Sequence, residues 1–356
     1  MVFFLLILLL IIFSGMRFSG SGQFNTSYLD KKSTTAINGI FVIMIVFSHY
    51  SQYANFAGIY DESYLILREH LNQMVVATFL FYSGYGMMES LHRKGKAYVL
   101  GVPGKFLKLL FTFDVAVLLY LILDICLKME YPLSTILLAF TSWVAIGNSN
   151  WYITAILLLY VFFFISFALE CSEKTKGKVN GAGRYGEIAC LFVLTIACVY
   201  FQMKIGRPAY CYDTMILFPL GCFYSQSKQY IESMVMKNDF FYFCVLALAV
   251  GVYAVSFFHR WSGGIEVFSI WSIAFIALVL LITMKVRIYN ELLDWFGTHI
   301  FSIYILQRIP MTLLMHFGCI ESHRYLSLII VFTVTIPLAL AFEKVTDTII
   351  AKVTSR

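Results

Sequence analysis

The chain has 356 residues, of which 60% are hydrophobic and only 13% are charged. A soluble domain carries about 25% charged residues, so this chain has too little charge to cover a water-facing surface. The composition therefore argues against a soluble enzyme, a disordered chain and a secreted disulfide scaffold. The net charge of +6 also suits nucleic-acid binding, and the positions of the basic residues decide between that and membrane orientation.

Apolar runs that could cross a lipid bilayer recur from one end of the chain to the other. A bilayer core about 30 Å thick needs about 20 apolar residues in helical form. Eleven such runs occur, at 2–17, 36–55, 72–90, 106–127, 151–169, 187–203, 210–226, 239–257, 265–284, 297–317 and 326–343. A twelfth run, 133–147, is shorter and begins after Pro132. The sequence therefore predicts an all-α integral membrane protein.

The basic residues predict how these runs are oriented. With the N-terminus outside, 19 of the 26 lysines and arginines fall on the cytoplasmic side, six fall outside, and Arg308 lies within a span. The cytoplasmic set is Arg17, Lys31, Lys32, Arg93, Lys94, Lys96, Lys105, Lys108, Lys174, Lys176, Lys178, Arg184, Lys228, Lys237, Lys285, Arg287, Lys344, Lys352 and Arg356. This asymmetry satisfies the positive-inside rule only if 133–147 does not cross, so we predict a re-entrant or surface helix there, on the outer side. Orientation accounts for the basic charge, and we expect a lipid bilayer rather than nucleic acid as the partner.

We predict a multi-pass cell-membrane protein with an outside N-terminus, a cytoplasmic C-terminus and four segments. Residues 1–17 are an N-terminal transmembrane anchor or a signal peptide, and the position of Arg17 after the apolar run favours the retained anchor. Residues 18–35 form a polar linker, 36–343 a ten-helix transmembrane bundle, and 344–356 a cytoplasmic tail. Interhelical segments are too short for a soluble domain, so we expect any chemistry inside the bundle or at its mouths.

His49 is the first residue that could carry chemistry. It lies in an otherwise apolar span, and neutral histidine can act as a general base near pH 7. Asn38 lies eleven residues earlier, about three helical turns, so both residues share one face of the helix. A polar face on a spanning helix indicates a path or a cavity wall. The alternative is a histidine that only hydrogen-bonds a neighbouring helix.

Two segments follow along the chain. In FLFYSGYG, residues 79–86, small residues allow close helix packing, and Tyr82 and Ser83 add hydroxyl groups that could support a reaction. Lys105 and Lys108 are three residues apart at a helix start and share a face, an arrangement that suits phosphate binding. The positive-inside rule explains these lysines equally well.

Later spans contribute further polar residues. Asn150 and Trp151 open a span at the predicted outer face, and Asp213 could orient a histidine or bind a sugar hydroxyl. Interface anchoring and a solvated helix start are the alternatives. Gln307 and Arg308 lie at mid-span, where a charge needs an aqueous cavity or a partner. The cysteines and histidines show no metal-ligand spacing, so we predict no metal site.

Together these segments resemble acyltransferase family 3, polytopic membrane acyltransferases that often O-acetylate bacterial surface glycans. The similarity runs from about residue 33 to 343. STTAINGIFVIMIVFSHY resembles the family's first core helix, which carries a basic residue, ten intervening residues and a histidine. His49 matches the histidine, whereas Asn38 occupies the position of the basic residue.

Other matches follow in the same order as in the family. FLFYSGYG resembles the F-x-x-S-G-[FY] segment, and Lys105 and Lys108 match, as lysines, an arginine pair spaced R-x-x-R. NSNWYITAILLLY and FGTHIFSIYILQRIPM are similar to later family segments, and Gln307 occupies a position where many members have histidine.

The resemblance implies acyl-CoA, usually acetyl-CoA, as a cytoplasmic donor with no bound cofactor, and a sugar hydroxyl of a surface or exported glycan as acceptor. It implies that His49 deprotonates that hydroxyl or carries the acyl group covalently. Arg308, Gln307 or Tyr82 would stabilise the oxyanion. We therefore expect a cavity that contains His49 and opens near Lys105 and Lys108.

Two alternatives from other classes stay open. A glycan or lipid transporter or flippase would line its pathway with His49, Arg308 and Asp213, and inverted repeats would support that class. A glycan polymerase or a non-catalytic member of a surface-polysaccharide assembly complex would fit the departures at Asn38 and Gln307. The chain could act as a homo-oligomer or within such a complex.

Overall fold

The computed structural model describes residues 1–168 and 184–354, which are helical along most of their length. In chain order the helices are α1 (Val2–Ser14), α2 (Lys31–Tyr50), α3 (Glu62–Leu71), α4 (Met74–Lys94), α5 (Lys96–Leu100), α6 (Val102–Cys126), α7 (Leu133–Phe140), α8 (Trp151–Ala168), α9 (Tyr185–Lys204), α10 (Leu217–Val235), α11 (Asp239–His259), α12 (Gly264–Lys285), α13 (Glu291–Thr298), α14 (Ile300–Leu306), α15 (Arg308–His316), α16 (Cys319–Ser322) and α17 (Arg324–Thr354). Strands β1 (Met16–Phe18) and β2 (Val286–Ile288) pair antiparallel. A 3₁₀ turn covers Ala209–Cys211.

Seven stretches of the described chain are long and apolar enough to span a bilayer, which confirms the all-α membrane class but not the predicted ten helices plus one. The seven are Lys31–Tyr50, Lys96–Cys126, Trp151–Ala168, Tyr185–Lys204, Asp239–His259, Gly264–Lys285 and Arg324–Val353. Helix α1 has 13 residues, so it is about 20 Å long and shorter than a bilayer core. Polar and charged residues lower the hydropathy of α4 and α10, and the ninth of the ten predicted core spans, 297–317, is divided at Gln307 into α14 and α15.

The run 133–147 forms no helix long enough to cross a bilayer, in accord with the charge distribution. Within it only α7 is helical, and its eight residues extend about 12 Å, much less than a bilayer core. The chain then turns through left-handed positions at Ser142 (φ 60°) and Gly147 (φ 79°) before α8 begins. This turn brings residues 148–150 to the mouth of the bundle.

Glycines bring α4 and α10 into backbone contact. A Cβ atom at Gly84 would lie 2.0 Å from the carbonyl oxygen of Phe218, and one at Gly221 would approach the α4 backbone at 2.1 Å. The packing role predicted for Gly84 is thus confirmed. Gly86 differs, because nothing lies within 4 Å of its Cβ position.

Helix α2, which carries His49, begins at Lys31 rather than at the predicted residue 36. Asp30 caps this earlier start by accepting a hydrogen bond (2.6 Å) from the backbone N–H of Ser33. The last part of the predicted linker is therefore helical. Farther along α2, a Cβ atom at Gly39 would lie 1.9 Å from the carbonyl oxygen of Leu293, so α2 packs directly on the α13 backbone.

The rest of the predicted linker is packed rather than loose. It starts with β1, which pairs with β2 at the end of α12. Beyond β1, Lys285 donates a hydrogen bond to the carbonyl oxygen of Gln23 (2.8 Å) and forms an ion pair with Asp239 (2.5 Å). These contacts fasten the stretch between β1 and α2 to the ends of α11 and α12.

The two ends of the bundle differ in charge. We call the end where α2 begins the basic end, and the end where α2 finishes the His49 end. Basic residues at the basic end include Lys31, Lys32, Arg93, Lys94, Lys105 and Lys108. Other residues that supported the predicted orientation, Lys174, Lys176, Lys178 and Arg356, lie outside the described residues.

Candidate functional site

A cavity of about 440 Å³ lies at the His49 end of the bundle. Helices α2, α3, α8, α14 and α15 and the turn before α8 contribute to its wall. Its polar and aromatic lining residues include Ser48, His49, Gln52, Arg68, Asn72, Gln73, Asn148, Ser149, Asn150, Trp151, Tyr210, Tyr304 and Arg308. We call this space the His49 cavity.

His49 faces this cavity with an unpaired imidazole ring. Its Nδ1 atom is buried and has no hydrogen-bond partner among the described residues. The nearest aromatic neighbour is Tyr304, whose ring centroid lies 5.9 Å from that of His49. A bond from His49 to a neighbouring helix, the structural alternative, is not found in the described part of the chain. The imidazole is therefore free to exchange a proton with a bound molecule.

Arg308 places a cation on the same wall. Its Nε donates to the Ser149 hydroxyl (2.7 Å), and its terminal nitrogens donate to Gln52 Oε1 (2.7 Å) and to the Tyr53 hydroxyl (3.3 Å). All three partners are neutral, and no described carboxylate forms an ion pair with this guanidinium. A guanidinium has five N–H donors, so donors remain for a negatively charged or carbonyl oxygen.

A second cavity of about 290 Å³ follows along α2 toward the basic end. Asn38, Tyr82 and Ser83 line it, together with Tyr152 and Tyr304. Three polar atoms of its lining residues are buried without a hydrogen-bond partner among the described residues, namely Asn38 Oδ1 and the hydroxyls of Tyr82 and Tyr304. Buried polar atoms in native proteins are nearly always paired, so these three mark places where a bound molecule could be held.

A third cavity of about 620 Å³ lies at the basic end. Its charged lining residues are Asp30, Lys31, Glu89, Arg93 and Lys228. Lys228 also donates a hydrogen bond to the Tyr85 hydroxyl (3.3 Å) and lies 3.7 Å from Glu232. Three cations around one space suit a ligand with several phosphate groups.

The three cavities adjoin one another. Thr34 and Tyr82 line both the third and the second cavity, and Val76 and Tyr304 line both the second cavity and the His49 cavity. The spaces therefore run in series from the basic end to His49. A thin wall that includes Tyr304 separates the last two.

Five predicted site residues lie on this series beside His49 and Arg308. Asn150 and Trp151 line the His49 cavity, and Asn38, Tyr82 and Ser83 line the second cavity. The polar face predicted from the spacing of Asn38 and His49 is present, with one residue in each of two adjoining cavities. The side-chain nitrogen of Asn150 is already engaged, because it donates to the carbonyl oxygen of Ser142 (2.6 Å).

Four predicted site residues line none of the three cavities. Lys105 donates to the Tyr98 hydroxyl (2.9 Å), and Lys108 lies 3.5 Å from Asp347, with both of these charged groups exposed. Gln307 is fully buried and donates to the carbonyl oxygen of Tyr304 (3.0 Å). Asp213 is buried between the 3₁₀ turn and α10. The two lysines themselves line no cavity, although Leu109, the residue after Lys108, lines the second cavity, so the expected opening near them stays a prediction.

Sequence reasoning missed several residues of the His49 cavity. Arg68 is one of the six lysines and arginines that the sequence places outside, and no pattern distinguishes it from the other five, although it lines the cavity. Ser149 and Tyr304 have common residue types in apolar or turn segments, so no motif distinguishes them. The polar stretch NSN at 148–150 was the one local signal, because polar residues cluster there just before an apolar span.

The described residues contain no group of three or more His, Cys, Asp or Glu side chains arranged to hold a metal ion. A family model described as an acyltransferase domain matches residues 34–344. This match runs from the first turns of α2 into α17 and includes every residue that lines the His49 cavity and the second cavity. Comparison with curated proteins and with solved structures found no significant match.

Proposed function

The chain belongs to acyltransferase family 3, and we propose that it moves an acetyl group from acetyl-CoA, or another acyl group from its CoA thioester, to a hydroxyl of a surface or exported glycan. The observation that carries this proposal is the series of three cavities from the basic end to His49. Two substrates could enter it from opposite ends and meet at the wall near Tyr304. We propose that the basic end faces the cytoplasm, in accord with the positive-inside rule.

The donor would occupy the third and second cavities. Lys31, Arg93 and Lys228 supply cations for the phosphates of coenzyme A at the basic end. The smaller second cavity would hold the thioester arm, with Asn38 and the Tyr82 hydroxyl as hydrogen-bonding groups. Lys105 and Lys108 stay a sequence-based prediction for phosphate binding, outside these cavities.

The acceptor would occupy the His49 cavity. His49 takes the proton from the acceptor hydroxyl, and the hydroxyl oxygen attacks the thioester carbonyl carbon. Negative charge then develops on the carbonyl oxygen, where the remaining N–H donors of Arg308 can stabilise it. The carbon–sulfur bond breaks, and the coenzyme thiolate recovers the proton from His49.

Transfer of radiolabel tests this reaction. The full chain in lipid nanodiscs is incubated with acetyl-labelled acetyl-CoA and oligosaccharide acceptors, and label on the acceptor is counted. We expect His49→Ala to lower the rate at least about 100-fold, a usual effect of losing a general base. His316→Ala is the matched control, because His316 is exposed at the same end and lines none of the three cavities. Absence of transfer by the wild type, or full activity of His49→Ala, would refute the proposal.

A second experiment locates the donor phosphates. Lys31→Gln combined with Arg93→Gln removes two cations of the third cavity, and Lys105→Gln combined with Lys108→Gln removes the predicted pair. We expect the first combination to raise the KM for acetyl-CoA more than the second, because only the first pair lines a cavity. A larger rise in KM for the Lys105 and Lys108 combination would instead place the phosphate site at those two lysines.

A further inference from the structure

The His49 cavity carries an unusual balance of charge. Arg68 and Arg308 both line it, and none of its described lining residues is an aspartate or a glutamate. Arg308 donates only to neutral groups, as described above. The side chain of Arg68 forms no hydrogen bond or ion pair with any described residue. Two guanidinium groups therefore face one space without a counter-ion.

Two acidic residues at this end of the bundle are paired with cations outside the cavity. Glu69, next to Arg68 in α3, forms an ion pair with Arg260 (2.7 Å) on the other side of that helix. Asp61 lies 2.7 Å from the α-amino group of Met1 and 3.5 Å from Arg324. These carboxylates already have cationic partners, so they leave the charge of the cavity uncompensated.

Arginine suits an anionic ligand better than any other side chain. Its planar guanidinium matches the oxygens of a carboxylate or a phosphate in two parallel hydrogen bonds, and it is weakly hydrated. A half-buried cation without a counter-ion is costly, and a bound anion would remove that cost.

The remaining wall suits a sugar ring. Asn148 Nδ2 and Gln73 Oε1 are both buried without a hydrogen-bond partner among the described residues, one a donor and one an acceptor for hydroxyl groups. Trp151 and Tyr210 lie with ring centroids 6.1 Å apart and give the cavity an aromatic side. Aromatic faces and amide groups together recognise the apolar and polar sides of a sugar.

We infer that the acceptor is an anionic glycan, one whose sugar carries a carboxylate or a phosphate group. This inference rests on the proposed function and names the substrate class of the same site. Arg68 binds the anionic group, while His49 takes the proton from a neighbouring hydroxyl and Arg308 stabilises the oxyanion that forms on the thioester. A neutral sugar would leave the charge of Arg68 uncompensated and would bind more weakly.

Equilibrium binding without any donor tests the inference separately from catalysis. The full chain in nanodiscs is titrated with three fluorescent tetrasaccharides: one containing glucuronic acid, its carboxyl-reduced neutral form, and that neutral form carrying a phosphomonoester. We expect at least one anionic probe to bind about tenfold or more tightly than the neutral probe, since hydrogen bonds to charged groups are the strong ones. The two anionic probes distinguish a carboxylate from a phosphate source. Added salt should weaken anionic binding selectively.

Three variants sharpen the test. Arg68→Gln should abolish the preference for the anionic probe. Arg68→Lys should retain part of it, because lysine keeps the positive charge but cannot make the two parallel hydrogen bonds of a guanidinium. Lys204→Gln removes one exposed cation at the same end and outside the cavity, so it should leave binding unchanged. Equal affinity for all three probes, or no effect of Arg68→Gln, overturns the inference. Intact anionic preference without any acyl transfer would instead refute the proposed reaction and leave this inference standing.

Discussion

Two glycines in α4 offer a matched test of how closely the bundle packs. A Cβ atom at Gly84 would lie 2.0 Å from the carbonyl oxygen of Phe218, whereas nothing lies within 4 Å of the Cβ position of Gly86. Ordinary contact begins at 3.4 Å, so Gly84→Ala would have to separate α4 from α10 by about 1.4 Å, the difference between these distances. A backbone carbonyl cannot rotate away, so the helices themselves must move.

Comparison of Gly84→Ala with Gly86→Ala gives the expected size of the loss of stability. Alanine is a better helix former than glycine by about 1 kcal/mol, and both variants share that gain. Overpacking a close contact costs about 1–3 kcal/mol. We therefore expect Gly84→Ala to be less stable than Gly86→Ala by about 1–3 kcal/mol, and Gly86→Ala to be at least as stable as the wild type.

The free energy of unfolding is measured by titration with a denaturing detergent, with tryptophan fluorescence as the readout. Thermal midpoints in one fixed detergent provide a second measure. If Gly84→Ala were as stable as Gly86→Ala, the two helices would not be in backbone contact at this crossing. The position of the third cavity, which is lined by α4 and by Lys228 of α10, would then need revision.

Three further predictions concern the site and its surroundings. Arg308→Lys keeps the charge but loses the bond geometry to Ser149, so we expect kcat for acyl transfer to fall about 100-fold with a smaller change in KM, and an unchanged kcat would exclude Arg308 from the reaction. Tyr304→Ala should open the wall between the second cavity and the His49 cavity, so that release of free acetate rises relative to transfer, whereas Tyr304→Phe should behave as the wild type; equal release by both variants would contradict this role. Burial raises the pKa of Asp61, but hydrogen bonds from the N-terminal ammonium and Tyr325 outweigh it, so that the pKa lies below its ordinary value. The stabilisation by Asp61 should therefore be complete above the usual carboxyl pKa of about 4 and be lost as the pH falls through the lowered value. Asp61→Asn should accordingly lower the thermal midpoint at pH 7 and not at strongly acid pH, and a pH-independent difference would count against the ion pairs.

Much of the fold could be predicted because a helix that crosses a bilayer needs about 20 consecutive apolar residues, and runs of that length are visible in the sequence. The short run that becomes α7 could be identified from charge alone, since only a non-crossing segment keeps the cations on one side. The predicted number of spans was less secure where polar residues interrupt a run. Gln307 divides the ninth of the ten predicted core spans, and Asp30 caps α2 so that the helix begins at Lys31 rather than at residue 36.

The site could be predicted only in part, for a physical reason. His49 and Asn38 belong to one helix, so the helical repeat was enough to place them on one face. The partners of Arg308 come from the end of α2 and from the turn before α8, and only tertiary folding brings these together. Lys105 and Lys108 could be identified from the sequence, but their role could not. The positive-inside rule places basic residues at cytoplasmic helix ends whether or not they bind a ligand.

The wall formed by Tyr304 and Val76 has a consequence for the cell as well as for the reaction. Cavities that reach toward opposite faces of a membrane would conduct protons and other ions if they joined into one channel. In the proposed reaction, the layer formed by Tyr304 and Val76 would therefore have to seal the membrane against ions while an acyl group passes it to reach His49. A substitution that enlarges this passage would admit larger acyl groups, but it would also let ions leak and so weaken the ion gradients across the membrane.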